Sequence, residues 1–274
     1  MNILDKIIAF KKTEVAERSS IVPVKLLEKS IYFESAVVSM KDYISDPEKT
    51  GIIAEFKRKS PSKGDINPSA SVETTSIGYM QAGASALSIL TDQEFFGGKN
   101  EDLVIARKFN FCPLLRKDFI IDEYQIIEAK SIGADCILLI AAALEPARLK
   151  ELAKFAKSLG LEVLMEVHDG EELAQSVNEY LDLVGVNNRS LKTFDVSLQT
   201  SYDLVDRIPN EFVKISESGI SRPDTLVSLK QAGFEGFLIG ENFMKSSRPH
   251  QAAYNFMNEY RELLGATMGQ TTEK

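Results

Sequence analysis

The chain predicts a single α/β domain, a closed (β/α)8 TIM barrel with an N-terminal helical extension. Three features lead there. From Gly51 onward, short apolar runs alternate with longer amphipathic segments to the end of the chain. The runs are apolar on both faces, as strands of a parallel sheet covered by helices must be. Gly-Ala or Gly-Phe recurs between a helical segment and the next run, at Gly83-Ala84, Gly133-Ala134 and Gly233-Phe234, which marks one structural unit used repeatedly. A doubly wound open sheet is the alternative, but the G-x-G-x-x-G turn that usually opens one is absent.

Residues 1–48 read as the helical extension. Ile3, Leu4, Ile7 and Ile8 recur at helical spacing, as do Val22, Leu26 and Leu27 around Pro23. Strands are expected at 51–56, 85–91, 112–116, 135–141, 161–166, 182–187, 212–217 and 235–239. Helices are expected at 71–82, 99–109, 122–132, 145–159, 170–179, 197–207, 221–232 and 250–264. Ser221 offers an N-cap with Asp224 at N3, and Pro146 sits in a first turn. Gly83, Gly133, Gly160 and Gly233 read as helix stops. No linker divides residues 1–274, so one domain is expected, with 265–274 as a flexible tail.

Composition narrows the function. The 274 residues are 44% hydrophobic and 26% charged, which excludes collagen-like, disulfide-scaffold and disordered classes. The net charge of −8 repels a phosphate backbone, and the densest basic cluster, Lys57-Arg58-Lys59, is too short to reverse that. Nucleic acid is therefore not expected as a partner. No apolar run approaches the roughly 20 residues that span a bilayer, and Asp5 and Lys6 break the first apolar stretch, so neither membrane contact nor a signal peptide is expected. A cytoplasmic location follows. Cys112 and Cys136 lie in apolar runs and read as buried, reduced thiols. His168 and His250 lack metal-ligand spacing and read as structural. With no Walker loop or dinucleotide fingerprint either, no metal and no cofactor are expected. The sequence does not report oligomeric state, and a monomer is the default.

In a (β/α)8 barrel the chemistry gathers at the C-terminal ends of the strands. The first strand ends Glu55-Phe56-Lys57, with Glu55 and Lys57 on one face and Phe56 on the other. The third ends at Lys117, the fifth at Glu166, the sixth at Asn187-Asn188-Arg189 and the seventh at Glu217-Ser218-Gly219. Burying several ions together is costly unless they are paired or used on a ligand. Their convergence on one rim therefore points to a pocket in which lysines and glutamates take acid and base roles. Ser60 and Lys63 in the first loop suit an anion, while Phe96 and Phe119 suit an aromatic ring. Ser218-Gly219 and Gly240-Glu241-Asn242 follow the seventh and eighth strands, where barrels of this type hold phosphate. Glu241 is expected to offer its backbone and turn its side chain outward. The residues thus describe an enzyme acting on a phosphorylated, anionic small molecule.

Several segments, in order, resemble the indole-3-glycerol-phosphate synthase family: Ile53-Ala54-Glu55-Phe56-Lys57-Arg58-Lys59-Ser60-Pro61-Ser62-Lys63-Gly64, Leu90-Thr91-Asp92-Gln93-Glu94-Phe95-Phe96-Gly97-Gly98, Pro113-Leu114-Leu115-Arg116-Lys117-Asp118-Phe119, Glu162 to His168, Gly185 to Arg189 and Ser216 to Ile220. The opening Ile3 to Ala9 is similar to the family's N-terminal extension. The resemblance implies conversion of 1-(2-carboxyphenylamino)-1-deoxyribulose 5-phosphate to indole-3-glycerol phosphate, with loss of CO2 and water, in tryptophan biosynthesis. By the same resemblance Lys117 is the general acid in ring closure, and Glu166 the general base in dehydration with Lys57 assisting. Glu55, Asn187 and Glu217 support them. Ser60, Phe96, Phe119 and Arg189 hold the anthranilate part, and Ser218, Gly219, Gly240 and Glu241 the phosphate. The rivals are another phosphate-binding barrel of that pathway, such as an isomerase, and a barrel that has lost activity.

Overall fold

Eight strands form where the apolar runs lie: β1 (Ile52–Phe56), β2 (Ala86–Leu90), β3 (Leu114–Lys117), β4 (Cys136–Ile140), β5 (Glu162–Val167), β6 (Leu183–Asn187), β7 (Val213–Glu217) and β8 (Gly236–Ile239). In this computed structural model, which describes residues 2–191 and 193–271, each strand pairs in parallel with the next. β8 closes on β1 through Ile52↔Phe237, Ile53↔Leu238 and Ala54↔Ile239. Cys112, expected within the third strand, precedes it, because β3 begins at Leu114.

Alternation along each strand makes two apolar layers. Ile52, Ala54 and Phe56 face the surrounding helices, together with Ile137, Leu139, Val163 and Met165. Ile53, Leu115, Leu138, Leu164, Ile215 and Leu238 fill the barrel interior. Each fully buried aliphatic side chain contributes about 1.5–3 kcal/mol, so neither layer tolerates a one-residue slip in register. The interior layer ends below the C-terminal rim, where inward positions become ionic.

The extension is less helical than expected. α1 (Ile3–Ile21) is capped by Asn2, whose side chain accepts from the Asp5 N–H while the Asp5 carboxylate accepts from the Asn2 N–H. α2 covers only Val24–Leu27, and after a turn-rich stretch α3 (Met40–Ser45) follows. Met40 and Ile44 of α3 join the interior core and close the bottom of the barrel. Glu162, facing inward at the start of β5, holds α3 there by accepting from Ser39 Oγ and the Met40 N–H at 2.6 Å and the Lys41 N–H at 3.0 Å.

Around the barrel lie α4 (Val72–Ala82), α5 (Asn100–Phe109), α6 (Glu123–Ser131), α7 (Pro146–Ser158), α8 (Gly170–Ser176), α9 (Gln199–Leu204), α10 (Pro223–Gln231), α11 (Glu241–Met244) and α12 (Pro249–Thr271). The short α11 was not anticipated. The Ser221 cap is not made: α10 starts at Pro223 with Arg222 as N-cap, since proline presets the first helical φ and donates no N–H that needs a partner. α12 stays helical to Thr271, beyond the expected end at 264, and 272–274 of the expected tail lie outside the described residues. Among the described residues no helix is long and apolar enough to cross a membrane.

α1 is pinned to the barrel by charge. Its buried stripe runs Leu4, Ile7, Lys11, Val15. Lys11 Nζ, 1% exposed, lies 2.6 Å from Glu14, 2.9 Å from Asp92 after β2 and 2.9 Å from Asp118 after β3. Asp118 also meets Arg116, whose guanidinium donates to Thr91 Oγ1, the Gln125 carbonyl and Glu128. Burial opposes the Asp118 charge, but Lys11 and Arg116 outweigh it and hold that carboxyl well below the usual range.

Candidate active site

A cavity of about 590 Å³ opens at the C-terminal ends of the strands, lined by Glu55, Lys57, Ser60, Phe96, Lys117, Phe119, Glu166, Asn187, Arg189, Glu217, Ser218, Gly219, Gly240 and Glu241. Every expected site residue thus borders one space. The strand pleat explains the floor: Glu55, Lys117, Glu166, Asn187 and Glu217 occupy inward positions at strand ends, and Lys57 continues the inward row of β1.

Lys117 Nζ donates to Glu166 Oε2 at 2.7 Å and to Glu217 Oε2 at 2.9 Å. Burial alone would discharge Lys117, but Glu166, Glu217 and Glu55 outweigh it and keep the ammonium well above the ordinary lysine range. Two buried carboxylates that share one cation keep a net negative charge and repel each other, so their protons come off in separate steps. Against burial, Lys117, His168 and the Asn187 amide keep Glu166 ionised. Burial, less offset by Lys117 and reinforced by Glu166, pushes Glu217 upward. Asn187 is oriented for its part, because its Oδ1 accepts the Arg189 N–H at 3.0 Å. Beside this cluster, Lys57 Nζ donates to Glu55 Oε1 at 2.6 Å, and Ser88 Oγ donates to Glu55 Oε2 at 3.3 Å.

Two inward glycines make room for these carboxylates. A Cβ at Gly185 would lie 2.2 Å from Glu217 Oε1, and one at Gly240 would lie 2.5 Å from Glu55 Oε1. Gly240, expected at the phosphate, therefore also stands against Glu55.

The ends of the cavity differ. One wall is apolar: Phe96 and Phe119 pack with ring centroids 5.9 Å apart, beside Leu4 and Ile7 of α1 and Leu138 and Ile140 of β4. Asp92 shapes this wall by accepting the N–H groups of Phe95 and Phe96 at 2.8 and 3.1 Å. The opposite rim carries Ser218 and Gly219, both at positive φ (68° and 77°), with Gly240, Asn242 and Lys245.

One expectation needs correction. Glu241 does not turn outward: its carboxylate lies 3.1 Å from Arg189 and 3.7 Å from Lys63, two cations that border the cavity and attract it inward. His168, assigned to the scaffold, places Nε2 3.4 Å from Glu166 Oε1. The available signal was its spacing, since positions 166 and 168 share a strand face. Arg58 leaves the cavity for Asp102 on α5. Cys112 and Cys136 are buried as expected; burial pushes the Cys112 thiol up to about 12. Among the described residues no cluster of side chains could hold a metal ion.

Ammonium and carboxylate groups paired inside one cavity at the C-terminal rim of a (β/α)8 barrel stand where enzymes of this fold carry their chemistry, so fold and cavity are those of a barrel enzyme. Its relatives make the class specific. The family model described as indole-3-glycerol phosphate synthase matches residues 4–256, and the chain belongs to that family. It is 48% identical over 256 residues to an indole-3-glycerol phosphate synthase of Bacteroides thetaiotaomicron, covering 93% of this chain and 98% of that protein. Proteins of the same name from Laribacter hongkongensis and Burkholderia ambifaria are 42% and 40% identical, over 92% and 90% of this chain and 97% and 96% of their own lengths. This membership makes the chain a carboxy-lyase of tryptophan biosynthesis. Among solved structures, KGPDC from Streptococcus mutans superposes with a TM-score of 0.58 at 14% identity, over 77% of this chain and 97% of that one. The native KDPGal structure gives 0.56 at 14% identity, over 81% and 97%. Identities that low speak to the fold alone.

Proposed function

We propose that this cavity closes, decarboxylates and dehydrates 1-(2-carboxyphenylamino)-1-deoxyribulose 5-phosphate, with Lys117 as acid and Glu166 as base. The observation that carries the reading is the Lys117 ammonium 2.7 Å from the Glu166 carboxylate inside one cavity. The apolar wall of Phe96 and Phe119 suits the anthranilate ring, with Ser60 and Arg189 toward its carboxylate. Ser218, Gly219, Gly240 and the Glu241 backbone suit the phosphate.

Chemistry then proceeds in three steps. The aromatic carbon bearing the carboxylate attacks the ketone carbon, and Lys117 protonates the oxygen as charge develops on it. The C–CO2 bond breaks, and its electron pair restores the aromatic ring. The new hydroxyl leaves as water with a proton from a lysine, with Lys57 assisting, while Glu166 takes the proton from the neighbouring carbon. Glu55, Asn187 and Glu217 orient these groups. The same reading takes the enzyme as a cytoplasmic monomer.

The test is indole fluorescence on addition of the carboxyphenylamino sugar phosphate. Lys117→Met and Glu166→Gln should each lower kcat by about 10²-fold or more while circular dichroism stays unchanged. Near-normal turnover in either folded variant defeats the role assigned to that residue.

A further inference from the structure

Glu166 has two oxygens, and only one of them faces Lys117. Oε1 points to a histidine ring instead, with His168 Nε2 at 3.4 Å. The ring is nearly buried, with its side chain 10% exposed, and Nε2 makes no hydrogen bond. Its other nitrogen, Nδ1, lies 3.1 Å from Glu172 Oε2, which also accepts the His168 backbone N–H at 2.7 Å. Glu172 is itself fixed: Asp169 caps α8 by accepting the Glu171 and Glu172 N–H groups, both at 2.9 Å.

We infer that His168, clamped by Glu172, is a positioning residue for Glu166 that fixes its second oxygen and governs how readily that carboxylate takes up a proton. The inference rests on the reading of Glu166 as the base. A histidine serving the scaffold alone could be satisfied by neutral partners, whereas this one bridges two carboxylates. With Nδ1–H directed at Glu172, a neutral ring presents a lone pair to Glu166 Oε1. Two lone pairs at that separation repel unless one proton lies between them, either on the ring or on the carboxyl. The pair therefore retains one proton, which suits a base that must accept and release one in each turnover.

The charged groups facing the ring are Glu166 on β5, Glu172 on α8 and Glu217 on β7, all acidic. Burial opposes a charge on the ring, but these carboxylates outweigh it and hold His168 above the ordinary histidine range. In return the imidazolium helps keep Glu166 ionised.

The test combines kinetics with ring titration. His168→Leu should lower kcat about 10-fold with KM changed less than about 3-fold, since misplacing a catalytic group weakens the transition state more than binding. His168→Gln, whose amide can donate to Oε1, should recover most of that kcat. It carries no charge, so the acid limb of its kcat profile should move up by about one pH unit. Should a variant fail to fold, imidazole NMR decides. The chain has two histidines, so His250→Gln assigns the His168 signal. Its midpoint should fall in both Glu166→Gln and Glu172→Gln. An acid limb unmoved in His168→Gln, or a ring midpoint unmoved by Glu166→Gln, overturns the inference. If Glu166→Gln itself retains turnover, the base assignment falls instead, whatever the ring does.

Discussion

Replacing Lys11 by Met removes the ammonium that joins α1 to the loops after β2 and β3. Three carboxylates surround it within 2.9 Å, and it is 1% exposed. Breaking a buried pair by deleting one partner costs about 3–5 kcal/mol. Some compensation survives, because Asp118 keeps Arg116 and Thr91, and Asp92 keeps the Phe95 and Phe96 N–H groups. Methionine also refills the space of the lysine stem. The lower part of that range, about 3 kcal/mol, is the expected loss. For a chain of this size it corresponds to a Tm lower by roughly 6–12 °C. Urea unfolding and a thermal melt at neutral pH measure it. The sign with pH is fixed by Asp118, whose carboxyl is depressed in the folded state. Its contribution is complete above the ordinary aspartate range and fades as pH falls below it, so the gap between wild type and variant should hold down to about pH 4 and narrow only below it. Asp92→Asn in the Lys11→Met background should recover part of the loss by removing a stranded charge. A loss below about 1 kcal/mol at neutral pH would refute the claim that this ion cluster pins the extension.

Two further outcomes test the rim. Gly219→Ala places a Cβ at φ 77° and 2.5 Å from Val196 Cγ1, a strain of about 1–2 kcal/mol from backbone handedness alone. It should raise KM for the phosphorylated substrate about 10-fold with kcat little changed, and an unchanged KM would count against this loop as the phosphate site. Glu217→Gln should slow turnover and yet stabilise the fold, because burial, only partly offset by Lys117, pushes that carboxyl up to about 7. An acid raised on folding contributes stability below its ordinary range and loses it as pH rises through the folded value. The gain in urea should therefore be about 1 kcal/mol or more at pH 8 and vanish at pH 5; a loss at pH 8 would mean that Lys117 needs both charges.

The strands and the rim were legible because both follow from local rules. Apolar runs of the right length dictate β1 to β8, and the two-residue period then decides that Glu55 and Lys57 face inward while Phe56 faces the helices. Lys11 was not legible: it interrupts an apolar helical stripe, and its partners Asp92 and Asp118 lie far along the chain and meet it only once the barrel closes. The direction of the Glu241 side chain is hidden in the sequence for a related reason. Repulsion from an anion argued for an outward side chain, but Arg189 and Lys63 arrive from two other loops and reverse the local field. The start of α3 is hidden in part for the same reason: Ser39 caps it locally by accepting the Asp42 N–H, but Glu162, on a distant strand, takes the Met40 and Lys41 N–H groups.

The notches at Gly185 and Gly240 bear on how such a rim can evolve. Both positions lack any reactive atom, yet one methyl group at either would intrude on a carboxylate that the floor depends on. A mutant library that spares all ionisable rim residues while letting these two drift should lose turnover as surely as one that deletes a lysine. Part of the blueprint for reactivity is thus written as absence of side chain, at sites where a search for chemical groups finds nothing to mark.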